Sequence, residues 1–179
     1  MKCSGREAIS GEPITVEGSG GEAAVFQYVD TDLSTGNGDW LAAGFIDLQV
    51  NGFAGVDFNA PSARHEDIAR AIMAIFSTGV TRFFPTVITG EPHAMLAALR
   101  NLAAARESLE FGRAMEAFHV EGPHISPDDG PRGAHPREWV RRPDIEEFQR
   151  MQEALSTAPG YRAAQPGVRS LRSCFSTPP

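Results

Sequence analysis

The sequence predicts an α/β fold: a parallel sheet with helices packed along it, built from about three strand–helix units. Three observations carry this. Apolar, β-prone runs at 45–51, 81–87 and 115–121 recur along the chain. Each is followed by a segment with helical spacing, near 63–78, 92–107 and 144–155. Strands joined through helices pair in parallel by right-handed crossovers. The polar side chains Gln49, Asn51, Thr86 and Glu121 fall at the carboxyl ends of the runs, where such sheets bind ligands.

Residues 1–39 are rich in Gly, Ser, Thr and acids, with two short β-like pieces, Pro13–Glu17 and Ala23–Val29, flanking GSGG. They read as hairpin material too small to hold a core alone. From Trp40 the character changes. Phe45–Val50 is a strand stopped by Asn51-Gly52, with Asp47, Gln49 and Asn51 on one face and Ile46, Leu48 and Val50 on the other. In the next helix Ser62 is the expected N-cap, with Glu66 and Asp67 in the first turns. Ile68, Ile72, Ile75 and Phe76 form its apolar stripe and Gly79 its stop. Thr81–Ile88 is the second strand, where Pro85 breaks the ladder unless it sits at the strand end. Pro92 suits the first turn of a second helix carrying Met95, Leu96, Leu99, Leu102 and Ala103 as core filler. Met115–Glu121 is the third strand, and 122–142 is a loop long enough to suggest a functional one. Asp144 caps a third helix with Ile145, Phe148, Met151 and Leu155 facing inward.

Composition narrows the function. A chain of 179 residues holds one domain and part of another. The formal charge of -7 and the lack of a basic cluster argue against a nucleic-acid partner. The cysteines, Cys3 and Cys174, have neither metal spacing nor a disulfide framework. The first residues lack the apolar core of a signal peptide, and no apolar run approaches the roughly 18 residues of a membrane span. A soluble, cytoplasmic chain without a membrane partner is expected.

The chemistry concentrates in AFHVEGPHISPDDGPRGAH, residues 117–135. Glu121 is the last side chain before a Gly-Pro break, and His119, His124 and His135 lie in the same stretch. Carboxylate oxygen and imidazole nitrogen are ligands of zinc and iron. An exposed acid at a strand end followed by a polar loop is the alternative reading.

GFIDLQVNG at 44–52, FFPTVIT at 83–89, HVEGPHIS at 119–126 and GAHP at 133–136 together resemble the N-acetylglucosamine-6-phosphate deacetylase family of the amidohydrolase superfamily, over about residues 40–155. The resemblance implies a metal-dependent TIM barrel with a small β-sandwich made from both chain ends. The expected architecture is therefore a partial TIM (β/α) barrel of about three βα units at 40–155, preceded by β-sandwich strands at 1–39. The implied reaction converts N-acetylglucosamine 6-phosphate to glucosamine 6-phosphate and acetate, a step of amino sugar catabolism, with one divalent ion, zinc or iron. Glu121 matches the family's metal ligand, and Ala134 and His135 match a pair that contacts substrate. Gln49 and Asn51 stand where many amidohydrolases carry His-x-His. Amides are poor zinc ligands, so either a site role or plain hydrogen bonding at the strand end fits them. His119 is expected at the site rim or packed behind it. His124 stands where the family is often apolar or aromatic. The family is often homo-oligomeric.

The family's two histidine ligands and its aspartate acid/base come from later strands, so no catalytic residue is assigned in this chain. A TIM barrel needs eight strands and typically about 250 residues. The final stretch, 156–179, has no acidic residue, four prolines and no apolar period. An irregular tail is expected, from an out-of-frame or truncated end. Three readings follow: a deacetylase chain inactive as it stands, a non-catalytic fragment associating through open sheet edges, or another amidohydrolase. GAHP and the lack of His-x-His favour the sugar deacetylase over the last.

Overall fold

The structure, a computed structural model, describes residues 2–18, 24–27, 39–156 and 172–173. It comprises two units, Met1–Gly44 and Phe45–Pro179. In the first, β1 (Lys2–Glu7), β2 (Pro13–Gly18), β3 (Ala24–Gln27) and β4 (Trp40–Leu41) form one sheet in the order β3-β2-β1-β4. β1 and β2 make an antiparallel hairpin, and β4 joins β1 in parallel. β1 has no apolar alternation to announce it. Its cross-strand partner is a hydroxyl pair instead: Ser4 Oγ and Thr15 Oγ1 lie 2.8 Å apart on opposed residues.

The second unit runs β5 (Phe45–Val50), a small hairpin of β6 (Gly52–Phe53) and β7 (Val56–Asp57), α1 (His65–Phe76), β8 (Val80–Ile88), α2 (Pro92–Ser108), β9 (His119–Glu121), α3 (Ile145–Ser156) and β10 (Arg172–Ser173). Its sheet has the order β10-β9-β8-β5, and every pairing is parallel. This is the α/β arrangement with a parallel sheet that the repeated pattern predicts. Apart from Arg172 and Ser173, the expected irregular tail lies outside the described residues.

Local chemistry explains where elements begin and end. Ser62 is not the cap of α1. Ala63 N bonds to Ala60 O at 3.1 Å, and Asn101 Nδ2 holds Ala63 O at 2.8 Å. Residues 60–63 thus close a turn of their own, and the helix starts from Arg64 without a side-chain cap bond. Gly79 fits the expected stop: its φ of 85° is in the left-handed region, and its N–H bonds to Phe76 O at 3.0 Å. At α2 the Glu91 carboxylate accepts Ala94 N–H at 2.7 Å, and Pro92 needs no partner in the first turn. Backbone N–H groups of His93 first, then Ala94, hold the Glu91 carboxyl below its ordinary value. Asp144 Oδ1 accepts Glu146 N–H at 2.9 Å ahead of α3.

The core lies between the sheet and α1 and α2. Phe58, Ile68, Phe83, Leu99 and Met115 are fully buried. Two expectations change. Ile145 is 68% exposed while Glu147 is buried, because α3 turns Met151, Ala154 and Leu155 inward and takes Glu147 with them. β9 is shorter than 115–121: Arg106 Nε takes Met115 O at 2.7 Å, leaving a lone parallel bridge between Phe83 and Met115 before pairing resumes at His119. On β5 only Val50 is buried, and Phe45, Ile46 and Leu48 stand exposed at 57–69% on an edge strand.

Candidate functional site

The polar side chains converge at the carboxyl ends of β5, β8 and β9. Pro85 of β8 pairs with Val50, the last residue of β5, so its missing N–H falls where the ladder ends. Val50 N–H turns instead to Thr86 Oγ1 at 3.1 Å. Beyond that point β8 has lost its β5 neighbour, and the Asn59 amide replaces it. Asn59 Oδ1 accepts Ile88 N–H at 2.8 Å, and Nδ2 donates to Thr86 O at 3.3 Å and to Asn51 O at 3.4 Å. These side-chain bonds satisfy backbone groups that the sheet leaves open and fix the position of Asn51.

Glu121 ends β9 and is the centre of a polar network. Gln49 Nε2 donates to its Oε2 at 2.6 Å. His135 Nε2 lies 3.2 Å from its Oε1, and His135 Nδ1 lies 2.9 Å from Thr89 Oγ1. Thr89 Oγ1 is also 3.3 Å from Glu121 O. The loop carrying His135 is held by Arg132 NH1, which donates to His135 O at 2.7 Å. Gly122 makes the close approach to Thr89 possible. Its φ is 86°, and a Cβ there would lie 2.0 Å from Thr89 Oγ1. Ala134 is exposed beside Gly133, whose φ of 61° turns the loop.

Sequence-expected residues therefore divide. Gln49, Glu121 and His135 meet by direct contact, and Asn51 joins the same strand-end network through its backbone. His119 is buried behind it, with Nδ1 3.1 Å from Leu48 O and with no hydrogen-bond partner for Nε2 among the described residues. His124 is elsewhere. Its ring is buried against α3, with Nε2 3.7 Å from Glu147 Oε2. There Arg141 grips the Glu147 carboxylate through Nε at 2.8 and 3.0 Å. Arg141 NH1 donates to Gly90 O at 3.1 Å and Trp139 O at 2.6 Å, pinning the end of the long loop. Thr89, Asn59 and this Arg141–Glu147 pair were not singled out by sequence reasoning. Thr89 closes the FFPTVIT motif, which was the one available signal.

A divalent ion implied by the family resemblance does not fit the described residues alone. Zinc takes three or four protein ligands, whereas both oxygens of Glu121 are engaged by Gln49 and His135. Among the described residues no group of three His, Cys, Asp or Glu side chains gathers as a ligand set.

No family model matches the chain. Curated proteins do. The N-acetylglucosamine-6-phosphate deacetylase of Danio rerio is 38% identical over 102 residues, 56% of this chain and 24% of that protein. That of Bacillus subtilis (strain 168) is 35% identical over 116 residues, 63% of this chain and 28% of that protein. The N-acetylgalactosamine-6-phosphate deacetylase of Shewanella sp. (strain ANA-3) is 38% identical over 110 residues, 56% of this chain and 26% of that protein. The chain spans about a quarter of the length of the curated relatives it matches. Among solved structures, an N-acetyl-D-glucosamine-6-phosphate deacetylase from Mycobacterium smegmatis superposes with a TM-score of 0.62 at 24% identity, over 82% of this chain and 40% of that one. The enzyme of the same name from Thermotoga maritima gives 0.62 at 24% identity, over 84% and 39%. These likenesses show a shared fold. No helix among the described residues is long and apolar enough to cross a membrane.

Proposed function

We propose, from this likeness to the N-terminal part of N-acetylglucosamine-6-phosphate deacetylases, that the chain carries the first units of a metal-dependent (β/α) barrel that hydrolyses the acetamide of an N-acetyl amino sugar 6-phosphate. The carrying observation is the Gln49–Glu121–His135 network at the carboxyl ends of the strands, the end where parallel sheets bind ligands. Glu121 is the ligand this chain offers to one zinc or iron ion. Ala134 and His135 form the part of the loop that meets the sugar phosphate. Gln49 and Asn51 line the rim by hydrogen bonding, and Gln49 holds the Glu121 carboxylate in place. His119 packs behind that carboxylate. The glucosamine and galactosamine epimers are both candidate substrates, since relatives named for each are similar at 38% identity.

The chain as given does not release acetate on its own in this reading, because its described residues leave the ligand set incomplete. Metal-loaded 1–179 mixed with N-acetylglucosamine 6-phosphate is expected to give no acetate above the blank and weak or no zinc binding by calorimetry. Turnover that disappears in Glu121→Gln would overturn that expectation. The family reading has its own test. A chimera placing residues 40–155 in the matching segment of the Bacillus subtilis relative should deacetylate, and its Glu121→Gln variant should not. A folded but inactive chimera would count against the assignment.

A second reading is favoured by β5, where Phe45, Ile46 and Leu48 are exposed on an edge strand. An apolar edge with free backbone groups recruits another strand, and a second copy of this chain is the partner always present. Leu48→Lys is expected to shift the chain toward monomer in sedimentation experiments. An unchanged association state in that variant removes this reading.

A further inference from the structure

The segment that follows β9 closes on itself: Arg141 N–H bonds to Pro123 O at 3.1 Å, so the two ends of the loop meet. Much of the stretch between them is exposed, Ala134, Pro136, Arg137 and Glu138 included. Small turns shape it from within. Arg132 N–H bonds to Asp128 O and Gly133 N–H to Gly130 O, each at 3.0 Å. Such bonds give the loop a shape but not a place. Its place comes from two consecutive residues after β8. Thr89 Oγ1 lies 2.9 Å from His135 Nδ1, and Gly90 O accepts from Arg141 NH1 at 3.1 Å. The Arg141 fork reaches further than that carbonyl. Nε lies 2.8 and 3.0 Å from the two oxygens of Glu147 on α3, and NH1 also donates to Trp139 O at 2.6 Å. NH2 contacts Glu147 and lies 3.6 Å from Met95 Sδ on α2. Every guanidinium nitrogen is engaged, and the partners belong to the loop, the β8–α2 corner, α2 and α3.

We propose that Arg141 is the positioning residue of this loop: it clasps the neck at Pro123 against Gly90 and α3 and thereby sets where Ala134 and His135 stand over the strand ends. The inference rests on the reading of Ala134 and His135 as the part of the loop that meets the sugar phosphate. A contact carried by a loop is only as exact as the shell that holds the loop. The residue type follows from geometry. The planar guanidinium presents its donors in fixed directions and serves a carboxylate and two carbonyls together, whereas a lysine ammonium gathers its donors at one point. The other half of the clasp is firmly seated. Glu147 is 4% exposed, and Met151, Ala154 and Leu155 of the same helix lie in the core. Releasing the neck lets the segment run open from Pro123 to α3, and an open span has more arrangements than a closed one.

The test is amide nitrogen relaxation in the isotopically labelled full chain, with Gly133, Ala134 and His135 reporting on the loop and Phe83 and Val87 on the sheet. In the wild type the loop reporters are expected to stay above the order parameter of about 0.6 that marks flexible backbone. Two variants open the clasp without leaving the Glu147 carboxylate alone. Arg141→Lys keeps a cation beside it but loses the fork. The double variant Arg141→Met, Glu147→Leu removes both charges. In each, the loop reporters are expected to fall below about 0.6 while Phe83 and Val87 keep their wild-type values. A role in stability alone would not produce that split. If one variant does not fold, the other decides. Loop reporters already flexible in the wild type overturn the proposal, and so do loop reporters that keep their wild-type values in a folded variant. Loss of order that spreads to Phe83 and Val87 in both variants, unfolding included, makes Arg141 a structural residue only and also overturns it. The readout is independent of acetate release. An inactive chimera leaves the clasp standing, and a loop indifferent to Arg141 leaves the deacetylase reading standing.

Discussion

Replacing Arg141 by methionine is expected to cost about 3–5 kcal/mol of folding free energy, the usual penalty for stranding one member of a buried ion pair. The Glu147 side chain is only 6% exposed, and Arg141 is its main counter-charge, with contacts at 2.8 and 3.0 Å through Nε. His124, at 3.7 Å, carries charge only when protonated. The substitution also removes the donor to Gly90 O and Trp139 O, freeing the end of the 122–142 loop. Urea denaturation of Arg141→Met and of the double variant Arg141→Met, Glu147→Leu tests the cause. Because the cost comes from the stranded carboxylate, the double variant should recover much of the loss. A single variant within about 0.5 kcal/mol of wild type, as for an ordinary surface change, would mean that Glu147 is solvated.

Phe83→Ala should cost a comparable amount, about 3–5 kcal/mol. Phe83 sits in mid-β8 with no exposed surface, and its ring stacks on Phe58 at a centroid distance of 5.9 Å. Truncation loses the transfer of the ring from water, leaves a cavity that a parallel sheet cannot close, and removes an aromatic pair worth about 0.5–1.5 kcal/mol beyond its area. Against a total stability of about 5–15 kcal/mol, the variant should be partly unfolded near room temperature or show a far lower denaturation midpoint. Phe111→Ala, at 45% exposure, is the control and should lose much less. Equal losses at the two positions would contradict the burial argument.

What could be read in the sequence was what depends on period and on motif. The parallel order of the three main strands follows from apolar runs alternating with helical stripes, and both survive in the fold. The meeting of Gln49, Glu121 and His135 was legible because strand ends gather at one edge of such a sheet and because GAHP belongs to a spaced set of motifs. What was not legible depends on partners distant in sequence. Ser62 fits an N-cap by type, but Asn101 on α2 holds the preceding turn in another shape. Ile145 follows the helical period, yet the face of α3 is set by what it meets: α2 on one side, and Arg141 of the preceding loop, which takes the Glu147 carboxylate. Met115 and Glu121 look like one strand until Arg106 claims the Met115 carbonyl. Thr89 and Asn59 are ordinary polar residues in a string. Their importance comes from a histidine 46 residues away and a backbone amide 29 residues away.

The Gln49–Glu121 bond has a geometric consequence. β5 and β9 are not neighbours; β8 runs between them. In a flat sheet two strands separated by a third lie about 9–10 Å apart, and side chains standing upright on them stay parallel. Here a glutamine on one and a glutamate on the other close to 2.6 Å, and a histidine ring on β9 reaches the Leu48 carbonyl of β5 at 3.1 Å. The two long side chains therefore lean toward each other and meet above β8, a cross-tie that binds the outer strands over the one between them.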